Sequence, residues 1–151
     1  GGKAERLGDA GGGRPKSLVD VAGKPLVAYQ VGRLAAVGVE RVIMSCAAGQ
    51  GDLFVRELAG LGVEIVAAEE PERLGRGGGL KFAARERRGS GDVFALNGDE
   101  LVDVDFAALL ARHRLTGAAA TIAVAQPKSQ FGMALPYLSF SASGPPMHLK
   151  R

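Results

Sequence analysis

Tryptophan is absent from the 151 residues, and Phe and Tyr together give an aromatic fraction of only 5%. With so few rings, the core is expected to be built from Val, Leu, Ala and Ile. No basic patch interleaved with aromatics is present, which argues against single-stranded nucleic acid held by base stacking. There is one cysteine, Cys46, so an intramolecular disulfide is excluded, as is a cysteine-rich metal site. Lying inside an apolar run, Cys46 reads as a small buried hydrophobe rather than a reactive thiol. No stretch reaches the roughly 20 apolar residues of a membrane span, and nothing at the start looks like a signal peptide. Cytoplasmic residence is the default expectation, with neither a membrane nor a nucleic acid as partner. Strong charge is missing too: a net +3 suits a small anionic ligand and is too mild to imply DNA binding. The remaining composition, 46% hydrophobic and 23% charged, is that of a soluble globular protein long enough for one domain with a substantial core.

Residues 25–37 carry Leu26, Val27, Tyr29, Leu34 and Ala35 at near-helical spacing. Pro25 suits a first helical position and Gly38 the residue just past the end. Residues 39–47, centred on Val42-Ile43-Met44, predict a strand. Residues 52–61 predict a second helix ended by Gly62, and 63–68 the next strand. A helix over 80–88 is expected to begin after the run Gly77-Gly78-Gly79, followed by a buried strand over 92–96. Asp105 can cap a helix running through Leu109, Leu110 and His113 to Gly117, and 118–125 predict a further strand. Short, nearly continuous apolar strands alternating with helices imply right-handed crossovers and a parallel sheet covered on both faces. The expected fold class is therefore α/β. A loop such as Gly1-Gly2-Lys3 normally follows an apolar strand, so a first strand is expected ahead of it. Beyond Gly132 the alternation dissolves among Pro136, Gly144, Pro145 and Pro146. A domain over 1–132 and an irregular tail over 133–151 are expected.

Ligands of open parallel sheets bind outside the carboxyl ends of the strands. The stretch 92–100, Asp-Val-Phe-Ala-Leu-Asn-Gly-Asp-Glu, turns at a glycine where such a strand should end, which would project Asp99 into the crevice. A carboxylate there, able to hold a divalent cation, suits chemistry on phosphates. Its plain alternative is a turn or capping aspartate. The opening Gly1-Gly2-Lys3-Ala4-Glu5-Arg6 supplies glycines that let a backbone approach a triphosphate. Arg6 can clamp phosphate through its planar fork, and Lys3 can add a point charge. A flexible terminal loop is the alternative. Arg14-Pro15-Lys16 holds a lysine on a short rigid segment, where it can neutralise charge developing on a pentavalent phosphorus. A solvated surface lysine is the alternative there. Lys24 suits ligand contact and a simple role at the start of the helix equally well. Neither His113 nor His148 is expected to carry catalysis.

The ordered set of motifs resembles the sugar-1-phosphate nucleotidyltransferase superfamily, which makes nucleotide-sugars. Gly1, Gly2, Arg6 and Leu7 match its GG-x-G-T-R-L loop, and Arg14, Pro15, Lys16 and Leu18 its R-P-K-x-L segment. Val21, Gly23, Lys24, Pro25 and Leu26 match V-x-G-K-P-L, while Glu70, Leu74, Gly75, Gly77 and Gly78 resemble E-x-x-x-L-G-T-A/G-G. Asn97, Gly98 and Asp99 resemble the N-G-D signature, followed by Asp103 and Asp105 as its D-x-D and by Phe131-Gly132 as its final F/Y-G pair. Ala4 and Glu5 stand where the family prefers Gly and Thr, and Arg76 where Thr is usual. The family's second sugar-binding stretch and second metal carboxylate are not recognisable in this chain.

The resemblance implies a Rossmann-like three-layer sandwich with a mostly parallel central sheet. It also implies attack by a sugar 1-phosphate on the α-phosphorus of a nucleoside triphosphate, releasing pyrophosphate. Gly1, Gly2, Lys3, Arg6 and Lys16 would hold the triphosphate, and Gly75, Gly77 and Gly78 would border the base. Asp99 would hold Mg²⁺. Asn97, Gly98 and Gly132 would lie near the sugar, with Arg6, Lys16 and Asp99 carrying catalysis. The implied partners are a nucleoside triphosphate and a phosphorylated small-molecule acceptor, and a homo-oligomer stays open. Two rival readings stand beside this one. The first is transfer to a non-sugar acceptor, an alcohol phosphate or a molybdopterin-type cofactor. The second is a non-catalytic nucleotide-binding or regulatory domain.

Overall fold

Pro25 closes a two-strand hairpin and opens the first helix in the computed structural model, which describes residues 14–124 and 137–140. The hairpin pairs β1 (Asp20–Val21) with β2 (Lys24–Pro25) in antiparallel register. Ala22 and Gly23 both take positive φ at its turn, the twist that suits a two-residue hairpin, and Asp20 Oδ1 accepts the Gly23 N–H at 2.9 Å. α1 (Leu26–Ala36) buries Val27, Val31 and Leu34, one face at i, i+4 and i+7, together with Gln30.

β3 (Arg41–Ala47) and β4 (Glu64–Glu70) pair in parallel, from Arg41 opposite Glu64 to Ala47 opposite Glu70. Parallel neighbours need a crossover, and α2 (Gly51–Glu57) supplies it, with Phe54 and the following Leu58 fully inside. Leu18, Val27, Val31, Met44, Cys46, Phe54 and Leu58 form the central core cluster. α3 (Gly75–Ala83) follows, continued by a single 3₁₀ turn at Ala84–Glu86.

The chain divides into two compact units between Val102 and Asp103. The second contains α4 (Phe106–Thr116), β5 (Ala120–Ala123) and β6 (Tyr137–Phe140), the two strands pairing antiparallel. Asp105 caps α4 by accepting the Ala108 N–H at 2.9 Å, and the left-handed Gly117 closes it. His113 Nδ1 lies 3.0 Å from Thr121 Oγ1. No helix among the described residues is long and apolar enough to cross a membrane.

The molecule is thus mixed α/β, and several expectations need correction. The described strands form three two-stranded sheets, of which β3–β4 is the parallel one. Residues 92–96 join no ladder; Val93 and Leu96 are exposed, and strand character needs a paired neighbour rather than an apolar run alone. The helix expected over 80–88 begins at Gly75, so the glycine run lies inside it. The second helix stops at Glu57, short of the expected 61. The segment 133–151, expected to hold no clear element, contributes β6.

Candidate functional site

Pro15 sets the local geometry at one end of the site. Its carbonyl accepts the Leu18 N–H at 2.9 Å, closing a 3₁₀ turn over Lys16–Leu18. Leu18 is 1% exposed and anchors that turn in the core, while Lys16 stays half-buried at its start. Arg14 reaches away to Glu57, with Nη2 to Oε2 at 2.9 Å.

The Asn97-Gly98-Asp99 turn packs on the same spot. A Cβ added at Gly98 would stand 3.4 Å from Ser17 Cβ and 3.6 Å from Val27 Cγ2, with Met44 Cε at 3.9 Å. These are ordinary van der Waals separations, so the two turns lie side by side with room for a small side chain between them. Asn97 and Asp99 are exposed. The backbone just beyond is tied to α1: Gln30 Nε2 donates to the Glu100 carbonyl and Arg33 Nη1 to the Val102 carbonyl. Lys16 and Asp99, 83 positions apart by their numbers, thus project from adjoining turns fixed by one core and one helix.

The glycine segment is built at the carboxyl end of β4. Glu69 accepts the Gly49 N–H at 3.0 Å and the Gly51 N–H at 2.6 Å, bonds that hold its carboxyl below the usual range. Glu70 is buried. Ser45 Oγ donates to its Oε1 at 2.7 Å and the Leu74 N–H to its Oε2 at 3.2 Å, which also lowers its carboxyl pKa. Gly75 and Gly77 are exposed, with no atom near where a Cβ would sit; Gly78 is occupied by Leu74, 2.9 Å from a notional Cβ. The first two offer open backbone to a ligand, and the third packs its own helix. Met44 and Ser45, successive residues of β3, face the Gly98 turn and Glu70 respectively. Alternation along a strand puts these two parts of the site at opposite faces of β3.

Gly1, Gly2, Lys3, Arg6 and Gly132 lie outside the described residues. Among the described residues no group of three or more His, Cys, Asp or Glu could hold a metal ion. Mg²⁺ at nucleotide sites takes one or two carboxylates and completes its shell with phosphates and water, so the exposed Asp99 fits that mode. Cys46 is 3% exposed, and burial, with Glu69 and Glu70 adding to it, pushes its thiol up to about 11. It is the inert hydrophobe expected. Sequence reasoning missed Gln30, Arg33 and Ser45 altogether and took Glu70 only as a motif letter. A signal for Gln30 existed: a lone amide on the apolar face of Val27, Val31 and Leu34 needs a partner.

A family profile described as the MobA-like NTP transferase domain matches residues 1–146. A provisionally named mannose-1-phosphate guanyltransferase of Sulfolobus acidocaldarius is 34% identical over 137 residues, covering 88% of this chain and 38% of that protein. The mannose-1-phosphate guanylyltransferase of Mycobacterium tuberculosis is 34% identical over 126 residues, 81% of this chain and 34% of the relative. The catalytic subunit beta of the same-named enzyme from Drosophila pseudoobscura pseudoobscura is 34% identical over 127 residues, 80% and 34% respectively. The chain spans little more than a third of the length of these relatives.

Proposed function

The chain belongs to the MobA-like NTP transferase domain family, within the sugar-1-phosphate nucleotidyltransferase superfamily, and from that premise we propose that it serves nucleotidyl transfer to a sugar 1-phosphate. A phosphate oxygen of the acceptor attacks the α-phosphorus of a nucleoside triphosphate. The bond from that phosphorus to the oxygen bridging the β-phosphate breaks, and pyrophosphate leaves with the electron pair. Such chemistry asks the protein for alignment and charge neutralisation rather than a covalent nucleophile.

The observation that carries this reading is the seating of Gly98 against Ser17, which sets a lysine and a carboxylate on adjoining turns. Lys16 supplies positive charge to the phosphates, Asp99 would hold Mg²⁺, and the open backbone at Gly75 and Gly77 admits a flat base. Bound Mg²⁺ would screen phosphate charge and so favour attack on phosphorus. Gly1, Gly2, Lys3 and Arg6 are assigned to the triphosphate, Asn97, Gly98 and Gly132 to the acceptor. The parallel β3–β4 pair with its α2 crossover supports a Rossmann-like three-layer sandwich as the frame of this site.

GTP with mannose 1-phosphate, taken from the relatives' names, is the first pair to assay. Pyrophosphate release across nucleoside triphosphates crossed with sugar 1-phosphates and alcohol phosphates tests the reading. Release confined to non-sugar acceptors would redirect it. Nucleotide binding with no release across the whole panel would favour a non-catalytic domain.

A further inference from the structure

Glu70 is one of two buried polar side chains among the described residues. A carboxylate withdrawn from water is tolerated only where its oxygens find donors. Those donors come from two different elements: Ser45 Oγ on β3 and the Leu74 N–H immediately before α3, at 2.7 and 3.2 Å. α3 also sits directly on the carboxylate. A Cβ at Gly79 would lie 2.6 Å from Glu70 Oε1 and 3.2 Å from Ser45 Oγ, so only a glycine lets the helix come this close. The Gly79 carbonyl stands 3.5 Å from the same serine hydroxyl. One carboxylate therefore joins the ends of β3 and β4 to both sides of the open glycines, at Leu74 and at Gly79.

Building on the proposed nucleotide site, we infer that Glu70 is a positioning residue for the nucleobase, setting where the backbone of Gly75 and Gly77 stands through Ser45, Leu74 and Gly79. It touches no reacting atom. Its loss should weaken ground state and transition state alike, raising KM while leaving kcat near the parent value.

Inorganic tripolyphosphate separates this role from general damage, because it engages the triphosphate groups and has no base. Calorimetry with GTP, ATP and tripolyphosphate, each with Mg²⁺, is run on the parent and on Glu70→Gln, with thermal melting alongside. Loss of a hydrogen bond to a charged group predicts about a tenfold or greater weakening for the preferred nucleoside triphosphate. Tripolyphosphate affinity should stay unchanged, and discrimination between GTP and ATP should shrink. Gly79→Ala, which drives a methyl into the carboxylate, should give the same pattern. Ser45→Ala should give a smaller version that does not add to Glu70→Gln. Those two variants carry the test if Glu70→Gln does not fold. Equal losses for nucleotide and tripolyphosphate, or unchanged nucleotide affinity, would overturn the inference. A parent protein that binds tripolyphosphate but prefers no nucleotide would remove the base site itself and the functional reading with it.

Discussion

Lys16 and Asp99 stand on adjoining turns because of their neighbours in sequence: Leu18, which buries one turn in the core, and Gly98, which seats the other against Ser17 and Val27. A lysine acting on developing phosphate charge should matter more to turnover than to binding. Lys16→Ala is therefore expected to lower kcat by about 10²–10³, the scale of one electrostatic contact, with little change in nucleotide affinity. Lys16→Arg should recover little of the loss, since a planar guanidinium cannot stand in for a compact ammonium. Parent-like turnover in both variants would make Lys16 a surface lysine. Asp99→Ala should abolish pyrophosphate release while the melting curve stays close to the parent's, because Asp99 is exposed at a turn.

At the scale of elements, α1 acts as a clamp on the stretch after Asp99. Gln30 spends its Nε2 on the Glu100 carbonyl, while its buried Oε1 finds no hydrogen-bond partner among the described residues. Gln30→Leu loses one hydrogen bond, worth about 1 kcal/mol, and removes an orphaned buried acceptor costing about 1–3 kcal/mol. Stability should stay level or rise, while amide exchange over 98–102 quickens; slower or unchanged exchange would place the clamp elsewhere. α1 and α4 were legible in the sequence because their signals are local: Pro25 and Gly38 around one, Asp105 and Gly117 around the other. The start of α3 was not. Glycines are poor helix formers, and the contacts that receive Gly75–Ala83 come from outside it: the N–H just before it bonds to Glu70 of the preceding strand, and Gly79 and Ala83 are buried. The run at 92–96 misled for the converse reason, since its composition suits a strand and pairing is non-local. The site was legible as motifs; its contacts through Ser17, Gln30 and Ser45 were not, because they join residues 25 to about 80 positions apart.

For the molecule as a whole, acid should be the sensitive side. Glu64 is lowered chiefly by its hydrogen bond from Arg41, Glu69 by the Gly49 and Gly51 N–H groups, and Glu70 by Ser45 and Leu74. Carboxyls lowered on folding contribute stability that is present above the ordinary glutamate value of 4.5 and is lost as pH falls through their lowered values. The melting temperature should therefore drop on acidification below that value. A Glu69→Gln/Glu70→Gln variant, less stable at neutrality, should drop by less; parallel curves would exclude these carboxyls as the cause. Catalysis by the chain as it stands is tested most directly by phosphorus NMR of a mixture with Mg²⁺, GTP and mannose 1-phosphate. Nucleotidyl transfer should produce free pyrophosphate and a new two-phosphorus product in equal amounts, both absent with Asp99→Ala. Unchanged triphosphate resonances with this pair and with every other nucleoside triphosphate and sugar 1-phosphate of the panel, or release of inorganic phosphate in place of pyrophosphate, would contradict it.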